Sequence, residues 1–197
     1  MTTLADLRAR LRIDLDDTAG ERWDDAALDR HLQHAVSDIS LAAPRRARVT
    51  VPTAPGSREV DVRGIGGLLG IDRAEYPAGL EPPGWVEFEQ LDGAVLLVSG
   101  PVPDGRDAAF WCRLAHVVDA GGSTLGPRLE ELAVLGAAAF AAFEAASGTL
   151  ERVTLNPATA ERYAALGRAR ETAFRQLLRE AAGRGRVRSL RARLPGT

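Results

Sequence analysis

The sequence predicts an α+β fold: a helical bundle of two N-terminal and two C-terminal helices with an inserted antiparallel β unit. Three observations predict it. Apolar residues recur at helical spacing up to Pro44, the period changes to two from Arg48, and helical period returns after Gly121-Gly122-Ser123-Thr124. The expected parts are a bundle over 1–47 and 119–183, a β unit over 48–118, and an arginine-rich C-terminal tail over 184–197.

The first helix is expected over Thr3 to Arg12, where Leu4, Leu7 and Leu11 share a face. Thr3 and Asp6 form a near relative of the capping box, with Asp standing where Glu or Gln is usual. Asp14 to Arg22 reads as a polar loop. Asp24 can cap a second helix, with Trp23 as a hydrophobic staple toward Leu28. Leu28, Leu32, Ala35, Val36 and Ile39 then make one apolar stripe that Pro44 ends.

Alternation marks short strands at Arg48–Val51 and Glu59–Arg63. A hairpin is expected from Trp85–Leu91 and Ala94–Val98, joined by Asp92-Gly93 in a tight I′ turn. Gly64 to Gly70 reads as a flexible loop between strands. A last strand, Ala108 to Val118, places Phe110, Cys112 and Leu114 on one face and Trp111 and Arg113 on the other.

In the third helix, opened by Pro127, Leu129, Leu132, Leu135, Ala139, Phe140 and Phe143 face alanine on the opposite side, so enclosure all round is expected. Asn156 as N-cap and Pro157 at the first turn open a fourth, with a stripe of Tyr163, Leu166, Phe174, Leu177 and Leu178 ending near Gly183.

Composition excludes several classes. The 197 residues are 45% hydrophobic and 26% charged, inside the globular range. The longest uncharged apolar run, Leu132 to Phe143, falls well short of the ~20 residues a spanning helix needs, and the acid at Asp6 argues against a secretory signal. One cysteine, Cys112, excludes an intramolecular disulfide and multi-cysteine metal sites, so a cytoplasmic, reducing origin is expected. All 25 basic residues are arginine, which reads as GC-rich coding. Net charge is −2, but residues 1–44 hold nine acids and five arginines, whereas residues 158–197 hold three acids and ten arginines.

Gly64 to Gly70 puts its third glycine one residue late for a dinucleotide loop, and no helix opens on it. Asp14, Asp16 and Thr18 imitate a calcium loop, but Ala19 and Asp25 stand where Gly and Glu are needed, which leaves a solvated loop. His31 and His34 could share a metal-facing side of the second helix, but no third ligand is evident and exposure is the simpler reading. His116 reads as a hydrogen-bonded residue at the core edge. No nucleophile–base pair is suggested, so no enzyme, cofactor or metal is expected. The arginine tail admits three readings: phosphate contact with nucleic acid, docking into a partner's acidic groove, or a disordered solubilising end.

Four phrases, taken in order, resemble the head-to-tail adaptor (connector) proteins of tailed phages and gene transfer agents. They are Trp23-Asp24-Asp25 with the Leu28 to Ile39 stripe and Ala43-Pro44-Arg45; Ala74-Glu75-Tyr76-Pro77; Leu114 to Val118 with Ser123 to Pro127; and Leu135-Gly136-Ala137-Ala138-Ala139. They span residues 23 to 139, and the arginine-rich end lies outside them.

The resemblance implies a virion neck protein, assembled in the host cytoplasm. It implies a homo-oligomeric ring, such as a dodecamer, that binds the portal protein above and a stopper or tail-completion protein below. Such a ring lines the DNA channel, touching passing DNA non-specifically, with no membrane partner and no catalytic residues. Arg184, Arg186, Arg188, Arg191 and Arg193 are the expected portal-binding residues, unstructured until they dock. A DNA-binding regulator using the basic fourth helix and tail is the alternative; the exposed acids Asp25, Asp29 and Asp38 on the second helix oppose it.

Overall fold

In the computed structural model of the chain, residues 1–151 and 157–184 are described. They carry four helices and nine short strands. Two compact units emerge among the described residues, one of residues 2–35 with those from 126 onward, the other of 36–125 with Met1.

The first unit is helical. Helix α1, Leu4–Asp14, starts on a complete capping box: Thr3 Oγ1 accepts from the Asp6 amide, and the Asp6 carboxylate accepts from the Thr3 amide. Leu7 and Leu11 are fully buried. Helix α2, Asp25–Ala42, is capped by Asp24, whose carboxylate accepts from the Ala27 amide at 2.7 Å. Its expected stripe is buried throughout.

Helix α3, Pro127–Glu151, is sealed on every side along its middle, with Leu132 to Val134 and Ala137 to Ala139 all buried. Helix α4, Pro157–Arg184, opens at the expected proline; the expected cap Asn156 lies outside the described residues. Its stripe differs from expectation. Leu166 and Leu177 are 39% and 42% exposed, while Ala160, Gly167, Phe174 and Leu178 are buried.

The reason is steric: small residues let α3 and α4 approach. A methyl group added at Gly136 on α3 would lie 2.7 Å from the Phe174 ring, and one at Gly167 on α4 would lie 3.1 Å from Phe143. Each helix thus offers a glycine socket to a phenylalanine of the other.

The second unit is built on antiparallel strands. Strands β1 (Arg45–Pro52), β7 (Asp107–Leu114), β3 (Leu68–Glu75) and β4 (Trp85–Val86) form one sheet in the order β1-β7-β3-β4. Strands β2 (Glu59–Asp61), β6 (Ala94–Leu97) and β5 (Phe88–Gln90) form a second, and β8 (Val118–Asp119) pairs with β9 (Gly122–Ser123). Every pairing is antiparallel. One apolar cluster takes Val60, Val95 and Leu97 from the second sheet and Ile71, Ala74, Phe110 and Cys112 from the first.

Four expectations are corrected. The first strand begins at Arg45, not Arg48. The supposed loop Gly64 to Gly70 runs into strand β3, whose register shifts between Leu68 and Gly70 and again between Ile71 and Arg73. Those irregularities break the alternation by which a strand is read. The single strand expected over Trp85–Leu91 is divided, β4 pairing with β3 and β5 with β6. The hairpin turn is also not type I′, because Gly93 has φ 74° while Asp92 stays negative.

Candidate functional site

Among the described residues no three His, Cys, Asp or Glu side chains gather as a metal site, and no helix is long and apolar enough to cross a membrane. The residues that resembled chemistry hold structure instead. The supposed solvated loop after α1 closes on Asp17, which is only 4% exposed. Its carboxylate accepts from the amides of Glu21, Arg22 and Trp23 and pairs with Arg12. The turn is fixed by that hub, with Asp16 beside it in the left-handed region at φ 53°.

His31 is buried, against the exposure expected for it, and His34 is exposed and stacked on Phe140 at 4.2 Å between centroids. His31 Nε2 lies 3.0 Å from Glu144 Oε2 but is poorly aligned for a hydrogen bond. Burial therefore prevails over the carboxylate and lowers the histidine's pKa. His116 sits at the core edge as expected. Its amide donates to Ser40 Oγ, its Nε2 lies 3.0 Å from the Ala43 carbonyl, and its Nδ1 lies 3.2 Å from Thr124 Oγ1. Since a carbonyl only accepts, Nε2 carries the proton.

The phrase Ala74 to Pro77 also works inside the fold. Glu75, 2% exposed, accepts from the Gly79 amide and pairs with Arg48. The Tyr76 hydroxyl donates to Asp104 Oδ1 at 2.6 Å and accepts from the Asp104 amide at 2.7 Å.

Interaction capacity lies on the outer surfaces. On the first sheet, Arg48, Trp111 and Arg73 stand opposite one another across β1, β7 and β3. Arg48 lies over the Trp111 ring, Arg73 lies over Trp85, and the two tryptophans are 4.8 Å apart. On the second sheet, Glu59, Leu96 and Glu89 stand opposite one another across β2, β6 and β5. In the helical unit a cavity of about 650 Å³ is lined by Leu15, Asp16, Arg22, Arg162, Tyr163 and Leu166 among others. Sequence reasoning singled out none of the three. Each is assembled from residues far apart in the chain, and for the two sheet faces only the alternation within each strand was visible beforehand.

Of the expected portal-binding residues, Arg186, Arg188, Arg191 and Arg193 lie outside the described residues, and Arg184 is described only as the last residue of α4. No curated protein matches the chain. A family model, the SU10 adaptor protein, matches residues 2–194, which carries the likeness well beyond the phrases at 23 to 139 and into the arginine-rich end. The chain accordingly belongs to the SU10 adaptor protein family, in keeping with a phage head-to-tail adaptor.

Proposed function

We propose that the protein is a structural component of a phage neck. It forms a ring between the portal and a stopper or tail-completion protein, and the ring lines the channel through which DNA passes. The observation that carries this reading is the family match over residues 2–194. The architecture supports it: a helical unit and a β unit offer separate surfaces for neighbours of different kinds. The role is mechanical, with binding surfaces and no reaction to catalyse.

Arg184, Arg186, Arg188, Arg191 and Arg193 are proposed as the portal contact. Within residues 184–197 they meet no acid in sequence. A guanidinium can hold a carboxylate through two hydrogen bonds, and repetition around a ring multiplies a weak contact.

Mass photometry of the protein with and without its portal tests the reading, since a ring bound to the portal is the expected product. Tight, sequence-specific DNA binding with no portal binding would instead establish a regulator. Truncation after Gly183 is expected to leave the helices folded and to abolish docking. If docking persists and only DNA retention changes, the arginines face the channel.

A further inference from the structure

The two sheets of the β unit carry outward rows of the same design and opposite sign. Across β1, β7 and β3 the row reads Arg48, Trp111, Arg73; across β2, β6 and β5 it reads Glu59, Leu96, Glu89. In both, a large apolar side chain at the centre is flanked by two like charges on the adjacent strands. Strand spacing makes each row roughly 10 Å from outer strand to outer strand.

The residues next to these rows point the other way, except Asp72, which sits exposed at the irregularity of β3 and pairs with Arg113. Phe110, Cys112 and Ala74 in the first sheet, and Val60 and Val95 in the second, enter the shared apolar cluster. The rows therefore lie on the outer faces of two sheets that bury their inner faces together. Both are accessible: Arg48, Arg73, Glu59 and Glu89 are exposed, and Trp111 and Leu96 are half-buried. Apolar surface adjoins each, with Trp85 49% exposed beside the arginines and Leu91 and Val98 exposed at the ends of the β5–β6 hairpin.

We infer that the Arg48–Trp111–Arg73 face of one copy docks on the Glu59–Leu96–Glu89 face of a second copy, as the head-to-tail contact of the ring. The inference rests on the ring proposed above and specifies its seam. The charges dictate the mode. Two copies joined through the same face would oppose like charges, so only the unlike faces attract. A contact between unlike faces is heterologous and closes into a ring when its rotation permits. The arginine face has local acids of its own, Glu75 on Arg48 and Asp72 on Arg113, which leaves Arg73 and the exposed Arg46, two residues before Arg48 on β1 and opposite Arg113, as the arms most open to a partner. Exposed ion pairs are individually weak and are screened by salt, so one contact is expected to be weak in solution and to be reinforced by closure.

The test reverses each face in turn. Arg46→Glu with Arg73→Glu inverts the basic face while retaining Arg48, which the buried Glu75 requires. Glu59→Arg with Glu89→Arg inverts the acidic face and disturbs no buried group. Self-association is followed by sedimentation velocity at low salt and by counting subunits on the portal. Each variant alone is expected to associate about tenfold less or worse, and an equimolar mixture is expected to recover, because every seam between unlike variants is again complementary. If the wild type forms rings and both variants do so equally well, this seam is wrong while the ring stands. If the wild type forms no oligomer either alone or on the portal, the ring and its seam both fall. If the basic-face variant loses duplex DNA binding and keeps self-association, the face belongs to DNA and the assignment is overturned. The acidic-face variant decides the matter by itself should the other fail to fold.

Discussion

The helical unit and the β unit fill their interiors by different means. Between α3 and α4 the fit is one of shape: Phe174 meets Gly136 and Phe143 meets Gly167, amid buried alanines. In the β unit the long connections are tied by polar groups. Tyr76 holds Asp104, Glu75 holds the Gly79 amide, and Thr53 Oγ1 donates to the Arg106 carbonyl at 2.6 Å. Regular helices satisfy their own backbone and ask only for a complementary surface, whereas irregular connections need partners for each amide they bury. The helical unit should therefore be sensitive to volume and the β unit to lost hydrogen bonds.

The largest expected effect is Phe174→Ala, which empties a fully buried position and should cost about 3–5 kcal/mol in thermal or urea unfolding. Gly136→Ala sharpens the point. Helix propensity alone favours alanine by about 1 kcal/mol, but overpacking against Phe174 costs about 1–3 kcal/mol. A net loss is expected at Gly136 and a small gain at Gly183, where the space is open. Stabilisation at Gly136 would break the account of close approach.

Next in size is Tyr76→Phe, which keeps the ring and removes the hydroxyl. It orphans the Asp104 amide, with an expected cost of about 1–3 kcal/mol. The Asp104 carboxyl is held well below the usual carboxylate range, first by Arg106 and then by Tyr76. Its pKa should rise in the variant, as read by NMR titration. No change in either quantity would show that packing alone fixes this loop.

How much of this contrast was legible beforehand depended on how local each signal is. Thr3 with Asp6, Asp24, and the α2 stripe declare helices within a few residues, and they were read correctly. Leu166 and Leu177 misled because an apolar residue signals a buried face only when something covers it, and α3 contacts α4 through Gly167 and Phe174. Strand β3 was hidden by its bulges. Asp17 looked solvated because its partners, three backbone amides, have no signature in side-chain pattern. The two charged rows depend on register between strands up to 63 positions apart in the chain, as for Arg48 and Trp111, and no local period encodes register.

The smallest expected effect is a polar exception inside the helical unit. His31, facing Glu144, Arg30 and His34, has its pKa lowered by burial. Below the ordinary histidine value of about 6.5 the unfolded chain binds a proton that the folded protein resists, so stability falls as pH drops through that value toward the lowered one. His31→Gln should flatten this slope, as seen in urea unfolding at about pH 7.5 and about pH 5. An unchanged slope would assign the acid sensitivity to the carboxylates, among them Asp25, whose pKa Arg12 lowers.

Cys112 is the chain's single thiol, 1% exposed on the inner face of β7, with its pKa raised by burial. A soluble thiol reagent can reach it only when the two sheets part. Its modification rate under native conditions is therefore a clock for opening of the β core, with no label to introduce. Run on the free subunit and on any assembly obtained with the portal proposed above, that clock would compare the breathing of this one core in the two states.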